Sequence, residues 1–162
     1  MANHTTVSIP ELRTVLKGRV ISPEDAAYDA VRAVFYGARS RRPALIVRVA
    51  DASDVSHVVS LARESGLELA VRSGGHSLAG HSTTEGGIVL DLSELTALDL
   101  DLAGRTAWAQ TGLTAGGYTT AVGGHGLATG FGDTASVGIG GLTLGGGIGY
   151  LVRKYGLTID DL

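Results

Sequence analysis

Glycine limits what this chain can become more than any other residue: 25 of its 162 residues are glycine, and fifteen of these fall between positions 112 and 149. Each glycine costs a helix about 1 kcal/mol relative to alanine, so long regular helices are disfavoured there. Glycine instead gives backbone that reaches positive φ and lets a ligand approach the main chain without side-chain obstruction. Successive amide hydrogens in such a loop form an anion-binding concavity. A single Gly-Gly pair is equally well a tight turn, but two dense clusters in one small chain favour a bulky anionic ligand. No complete G-x-G-x-x-G opens a helix and no G-x-x-x-x-G-K-[ST] occurs, which disfavours a Rossmann fold and a P-loop.

Composition narrows the remaining classes. Apolar residues make up 44% and charged residues 18%, a globular balance. The net charge of -3, without a basic tract, leaves no footprint for nucleic acid. The chain has no cysteine, which removes disulfides, thiolate metal sites and thiol nucleophiles and suits a cytoplasmic protein. Residues 1–10 have neither the basic start nor the apolar core of a signal peptide. Residues 134–152 carry no charge and are nearly long enough to span a bilayer, but seven of them are glycine, so no membrane association is expected.

Ser22-Pro23-Glu24-Asp25 reads as a helix start, with a capping hydroxyl, an early proline and acids favoured by the helix dipole. Residues 26–36 are therefore predicted helical, within an N-terminal helical segment at 1–39. Residues 44–49 form an apolar strand. Ser53 then caps a helix carrying Val55, Val58, Val59 and Ala62 at helical spacing, and Gly66 ends it. A second strand covers 67–71, completing a βαβ unit, so the loop Arg72-Ser73-Gly74-Gly75-His76-Ser77 leaves where such sheets bind ligands. Ile88-Val89-Leu90-Asp91-Leu92 is a further strand. Alternating Leu98, Leu100, Leu102 and Thr106, Trp108, Gln110 around Ala103-Gly104 predict an antiparallel hairpin. Thr114 caps a short helix through Val122, and the glycine-dominated stretch to Arg153 carries no assignable regular structure. A soft lobe boundary falls near Leu95.

His76 follows two glycines on a loop, where it is accessible, and neutral imidazole is a nucleophile. Arg72 beside Gly74-Gly75 suits a phosphate. His57 lies on the polar side of its helix and His4 in the N-terminal tail; neither is assigned a role. His81 and His125 also flank glycines. Zinc at His76 and His81 is an alternative, although zinc wants three or four ligands at defined spacing.

Taken together, Val71-Arg72-Ser73-Gly74-Gly75-His76-Ser77, Gly86-Gly87-Ile88-Val89-Leu90-Asp91-Leu92-Ser93, Gly126-Leu127-Ala128-Thr129-Gly130 and Gly140-Gly141-Leu142-Thr143-Leu144-Gly145-Gly146-Gly147-Ile148-Gly149-Tyr150 closely resemble bacterial FAD-linked oxidases of the berberine bridge enzyme type. The similarity covers residues 40–162 and continues through Arg153-Lys154-Tyr155-Gly156-Leu157.

This resemblance implies an α+β fold of the PCMH type, the FAD-binding domain of the vanillyl-alcohol oxidase group, in which two small lobes clamp an extended FAD. It implies that Arg72, Ser73, Gly74, Gly75, His76 and Ser77 wrap the pyrophosphate, that His76 is joined to the 8α-methyl of the flavin, and that His81 and Ser82 lie further along the same loop. Gly130, Asp133, Thr134, Ser136, Val137, Gly138, Gly141, Thr143, Gly145, Gly146 and Gly147 would line the pyrophosphate and isoalloxazine. Thr134 stands where some relatives carry a second flavin-linking cysteine, so one covalent link is expected. The family's chemistry is hydride transfer from a small alcohol, sugar or amine to flavin N5, with electrons passed on to oxygen.

The proton-abstracting base normally comes from a substrate domain that the chain is expected to lack. Tyr118 and Tyr150 are the candidates should the base lie within these residues. Without that domain, a non-catalytic flavin-binding piece or a subunit completed by another chain is the alternative reading, and a cofactor-free glycine-rich interaction domain is a third.

Val137 occupies a position that in this family gates oxygen, with valine leaving the path open. Photoreduced flavin in the wild type should reoxidise readily in air, and Val137→Ile should slow it, as followed by stopped-flow absorbance. Equal rates would refute the gate.

Overall fold

Ile46, Val47, Ile88 and Val89 have no exposed surface, and the strands that carry them form the centre of the first of two units, Met1–Glu94 and Leu95–Leu162. The computed structural model describes residues 7–37 and 41–162; His4 lies outside them. The first unit runs α1 (Ile9–Val15), β1 (Arg19–Ile21), α2 (Tyr28–Val31), β2 (Leu45–Arg48), α3 (Ala52–Ser65), β3 (Leu69–Arg72) and β4 (Ile88–Asp91).

The sheet order is β1-β2-β4-β3, with β4 parallel to both neighbours and β1 antiparallel at the edge. The expected β2-α3-β3 unit is present, but β4 inserts between its strands. Strands buried on both faces read as continuous apolar runs, and β4 is buried at all four positions.

α3 packs a face containing Asp54, Val58, Ala62 and Ser65 and ends at Gly66 in the left-handed region at φ 69°. Its cap is Asp51, whose carboxylate accepts from the Asp54 N–H at 3.0 Å, two residues before the expected Ser53. The helix expected over 26–36 is also corrected, because only Tyr28–Val31 is helical. The Asp25 carboxylate accepts from the Ser22 N–H and hydroxyl at 2.7 and 2.9 Å, so Asp25 folds back onto the serine meant to cap. The buried Tyr28 then donates its hydroxyl to the Pro43 carbonyl at 2.6 Å, and the Phe35 N–H donates to the Gly75 carbonyl at 3.2 Å. These tertiary anchors replace further helical turns.

The second unit contains β5 (Leu98–Asp101), β6 (Thr106–Ala109), α4 (Ala115–Gly123), α5 (Ile139–Leu144), α6 (Val152–Tyr155) and a closing 3-10 turn at Thr158–Asp161. The hairpin forms as expected, pairing Leu98 with Ala109 and Asp101 with Thr106. Thr114 caps α4, accepting from the Gly117 N–H at 3.2 Å. Ala115, Tyr118, Val122, Phe131 and Ile139 make the core, covered by Leu98, Leu100, Ala107 and Ala109. α5 and α6 occupy the stretch in which the sequence showed no regular structure; both are short, as glycine density requires. Among the described residues no helix is long and apolar enough to cross a membrane.

Asp54 ties the first unit together. Its carboxylate accepts from the N–H groups of Lys17, Gly18 and Ala50 at 3.0, 2.8 and 3.0 Å, joining the approach to β1, the exit of β2 and the first turn of α3. Burial pushes this carboxyl up, yet those three donors outweigh it and hold it below its ordinary 3.8. A carboxyl depressed by folding stabilises the fold above its unfolded value and loses that contribution as pH falls through its folded value. Asp54→Ala, which strands three amide donors, should cost roughly 3 kcal/mol in urea unfolding at neutral pH. The gap to wild type should narrow below about pH 4; a gap independent of pH would contradict this assignment.

Candidate functional site

At the last rung of the first sheet, Arg48, Asp91 and Arg72 stand side by side on β2, β4 and β3. The Asp91 carboxylate receives Arg48 Nε and Arg72 Nη2, each at 3.0 Å, while its other oxygen accepts from the Ser93 N–H at 3.0 Å. Burial alone would raise the Asp91 carboxyl; the Arg72 charge and the Ser93 hydrogen bonds more than offset it, holding the group below its ordinary value. Arg72 is itself only 5% exposed, and its Nη1 is buried without a partner. The residue expected to meet a phosphate thus already shares one side of its guanidinium with Asp91 and keeps a second donor atom unused.

The chain leaves Arg72 directly into the glycine loop. Gly75 sits at φ +72°, a conformation that strains any residue bearing a Cβ. Arg72, Ser73, Gly74 and Gly75 line an open cavity of 320 Å³ together with Phe35 and Asp91. His76 follows, half-buried, with its ring stacked on Phe35 at a centroid separation of 4.1 Å and 22° between planes. The Ser77 hydroxyl accepts from the His81 N–H at 3.1 Å, which closes the next turn and leaves the His81 side chain exposed. Ser82 and Thr83 are buried, and their hydroxyl oxygens have no partner. Among the described residues no group of three or more side chains could hold a metal ion.

The second unit contributes its own glycine-lined surface. Thr134 donates to the Asp133 carboxylate at 3.0 Å, and both side chains are exposed. Ser136 is exposed and Val137 half-buried; the Val137 carbonyl accepts from the Ala115 N–H at 2.8 Å. Gly138 caps α5, Gly141 and Thr143 lie within it, and Gly145 ends it. Gly146 and Gly147 then take φ of +102° and +72°. Gly147 is pinned by Thr158, whose N–H donates to the Gly147 carbonyl at 3.0 Å and whose hydroxyl lies 2.8 Å from the Gly130 carbonyl. A Cβ on Gly147 would strike the Thr158 side chain, and one on Gly149 the Phe131 carbonyl.

Of the two tyrosine candidates, Tyr118 is a core residue, edge-on to Phe131 and accepting from the Thr129 hydroxyl at 3.1 Å. Tyr150 is 89% exposed.

Sequence reasoning missed Phe35, Arg48, Asp91 and Thr158 as parts of these surfaces. A signal existed for Asp91, an acid closing an otherwise apolar strand. Nothing local marks Phe35 or Thr158, whose partners lie far along the chain.

Comparison with known proteins matches residues 43–162 to the family model described as FAD binding domain. The (R)-6-hydroxynicotine oxidase of Paenarthrobacter nicotinovorans is 41% identical over 147 residues, 91% of this chain and 32% of that protein. The crystal structure of 6-hydroxy-D-nicotine oxidase from Arthrobacter nicotinovorans superposes with a TM-score of 0.88 over 90% of this chain and 32% of that one, at 41% identity. Wild-type Phl p 4.0202, a glucose dehydrogenase, aligns at 29% identity with a TM-score of 0.81, over 87% of this chain and 31% of that one; Phl p 4 itself is a grass pollen allergen. An isoleucine-to-valine variant of Phl p 4 is described as a glucose oxidase. The chain thus spans about a third of the length of the relatives it matches. Its expected α+β, PCMH-type fold is borne out by these neighbours. With the glycine loops, the parallel sheet and these relatives in agreement, the chain belongs to the FAD binding domain family of FAD-linked oxidoreductases of the berberine bridge enzyme type.

Proposed function

We propose that this chain is the flavin-holding part of an oxidase that acts on a small alcohol, sugar or amine and is linked covalently to FAD through His76. The observation that carries the reading is the buried, unpartnered Nη1 of Arg72 at a cavity that Gly74 and Gly75 line, with His76 directly after them. A buried guanidinium donor without a partner fits an anionic phosphate oxygen. The unpartnered buried hydroxyls of Ser82 and Thr83 add donors on the segment that follows. When bound, FAD supplies a hydride acceptor at N5 and an outlet for electrons to oxygen.

The residues of this chain do the holding. Ser73, Gly74 and Gly75 offer main-chain donors beside Arg72, and Ser77 fixes the turn toward His81. In the second unit, Gly145, Gly146 and Gly147 present backbone free of Cβ atoms, with Gly130, Ser136, Val137, Gly138, Gly141 and Thr143 completing the lining and Asp133 and Thr134 at its exposed side. His76 would hold the flavin through a bond from a ring nitrogen to its 8α carbon. Forming that bond would release two protons and two electrons, which dioxygen would take up as hydrogen peroxide.

By the family resemblance Val137 stands at the oxygen gate and leaves it open, which favours oxygen as acceptor; among the relatives, an isoleucine-to-valine variant of Phl p 4 is a glucose oxidase and wild-type Phl p 4.0202 a glucose dehydrogenase. The absence of cysteine favours a reducing, cytoplasmic setting.

Acid precipitation of the FAD-saturated protein should leave yellow colour in the pellet, and His76→Ala should release it to the supernatant. An intact mass without a flavin adduct in wild type would overturn the covalent link while leaving non-covalent binding by the phosphate loop open to measurement.

A further inference from the structure

We propose that Phe35, a residue outside the matched family region of 43–162, is a positioning residue that sets the plane of the His76 ring for bond formation with the flavin. This rests on the covalent role of His76 proposed above. Phe35 is 59% exposed, so burial of apolar surface does not account for where it sits. Its ring is instead stacked on His76 at 4.1 Å, with the Tyr36 ring set edge-on to it at 5.0 Å. The main chain reinforces the contact, since the Phe35 N–H donates to the carbonyl of Gly75, the residue before His76.

The geometry suits the chemistry. Gly74 and Gly75 put no side chain beside His76 to restrict its rotamers, and Gly75 at φ +72° sets only the backbone direction. A ring nitrogen attacks through a lone pair in the plane of the imidazole. A stacked neighbour covers the π face and lies outside that plane, so Phe35 restricts the tilt of the ring without itself standing in front of either nitrogen. Restricting a nucleophile to near-attack orientations raises the rate of the bond-forming step rather than the affinity for the partner. A leucine at position 35 would keep apolar bulk and lose the flat face; a tyrosine would keep the face.

The test follows covalent adduct formation by intact mass after FAD is added to flavin-free wild type, Phe35→Leu and Phe35→Tyr, with non-covalent affinity measured by flavin fluorescence in a His76→Ala background. Phe35→Leu should slow adduct formation about three- to tenfold, the effect expected of losing one aromatic pair. Phe35→Tyr should restore the wild-type rate; because Phe35 also lines the cavity, rates are taken at saturating FAD, where the slowing by Leu should persist. In the flavin-free protein, Phe35→Leu should also move the NMR signals of the His76 ring protons, because the ring current of the stacked face is lost.

Wild-type adduct formation in Phe35→Leu, unmoved His76 signals, or a slowing that saturating FAD abolishes would each overturn the proposal. Absence of any adduct in wild type would instead overturn the covalent reading of His76, and this inference with it.

Discussion

The Asp91 carboxylate, shared between Arg48 and Arg72, is the interaction on which the carboxyl end of the first unit's sheet depends. The three residues occupy one level of three adjacent parallel strands, so a single anion sits between two cations at the carboxyl ends of β2, β4 and β3. A buried ion pair gains little over a well-packed apolar pair, but removing one partner leaves an uncompensated buried charge, at a cost of about 3–5 kcal/mol. Here the charge left behind would include Arg72, which is almost fully buried. The backbone reinforces the same level: the Leu92 N–H donates to the Arg72 carbonyl at 2.8 Å and the Val49 N–H to the Asp91 carbonyl at 3.1 Å. The glycine loop therefore starts from a fixed point, and its conformational freedom is spent beyond Arg72 rather than at it.

That arrangement also lets one arginine hold the fold and remain available for the proposed ligand. A guanidinium offers five N–H donors in a rigid fork, and Asp91 engages only its Nη2. The pairing orients the fork and offsets the charge, while Nη1 is held buried at the cavity. Lysine would offer a point charge without this division of labour.

The second unit solves a different problem, which is to hold irregular backbone in place without long helices or strands. Thr158 does much of this, bonding through its N–H and hydroxyl to Gly147 and Gly130, while the Ile159 N–H donates to the Gly146 carbonyl at 3.1 Å. Such close approach is the reason for glycine at Gly147 and Gly149, where any Cβ would occupy the space of Thr158 or Phe131. Gly141, by contrast, has open space where its Cβ would be. Packing within the protein does not require glycine there, whereas close approach of a flavin would.

Much of this was legible in the sequence because it depends on neighbours along the chain. The apolar runs at β2 and β4, the 3.6-residue pattern of α3 with Gly66 after it, the alternation in β5 and β6, and the Thr114 cap are local signals, and the sequence alone determined them. The glycine-histidine loop and its flanking motifs likewise carry, in the sequence itself, the resemblance to FAD-binding domains. Tertiary structure alone decided the rest. It placed β4 between β2 and β3, because strand order is set by which apolar faces are buried together, not by succession. It stopped the helix expected over 26–36 after Val31, because Asp25, Tyr28 and Phe35 are held by residues nearby or far along the chain more firmly than helix propensity, worth tenths of a kcal/mol per residue, about 0.7 at most for ordinary residues, could oppose. It brought Phe35 against His76 and Thr158 against Gly147, contacts 41 and 11 residues apart that no periodicity encodes. Local propensity is read within a few residues, whereas charge pairing, ring stacking and close backbone approach exist only once the chain has folded onto itself.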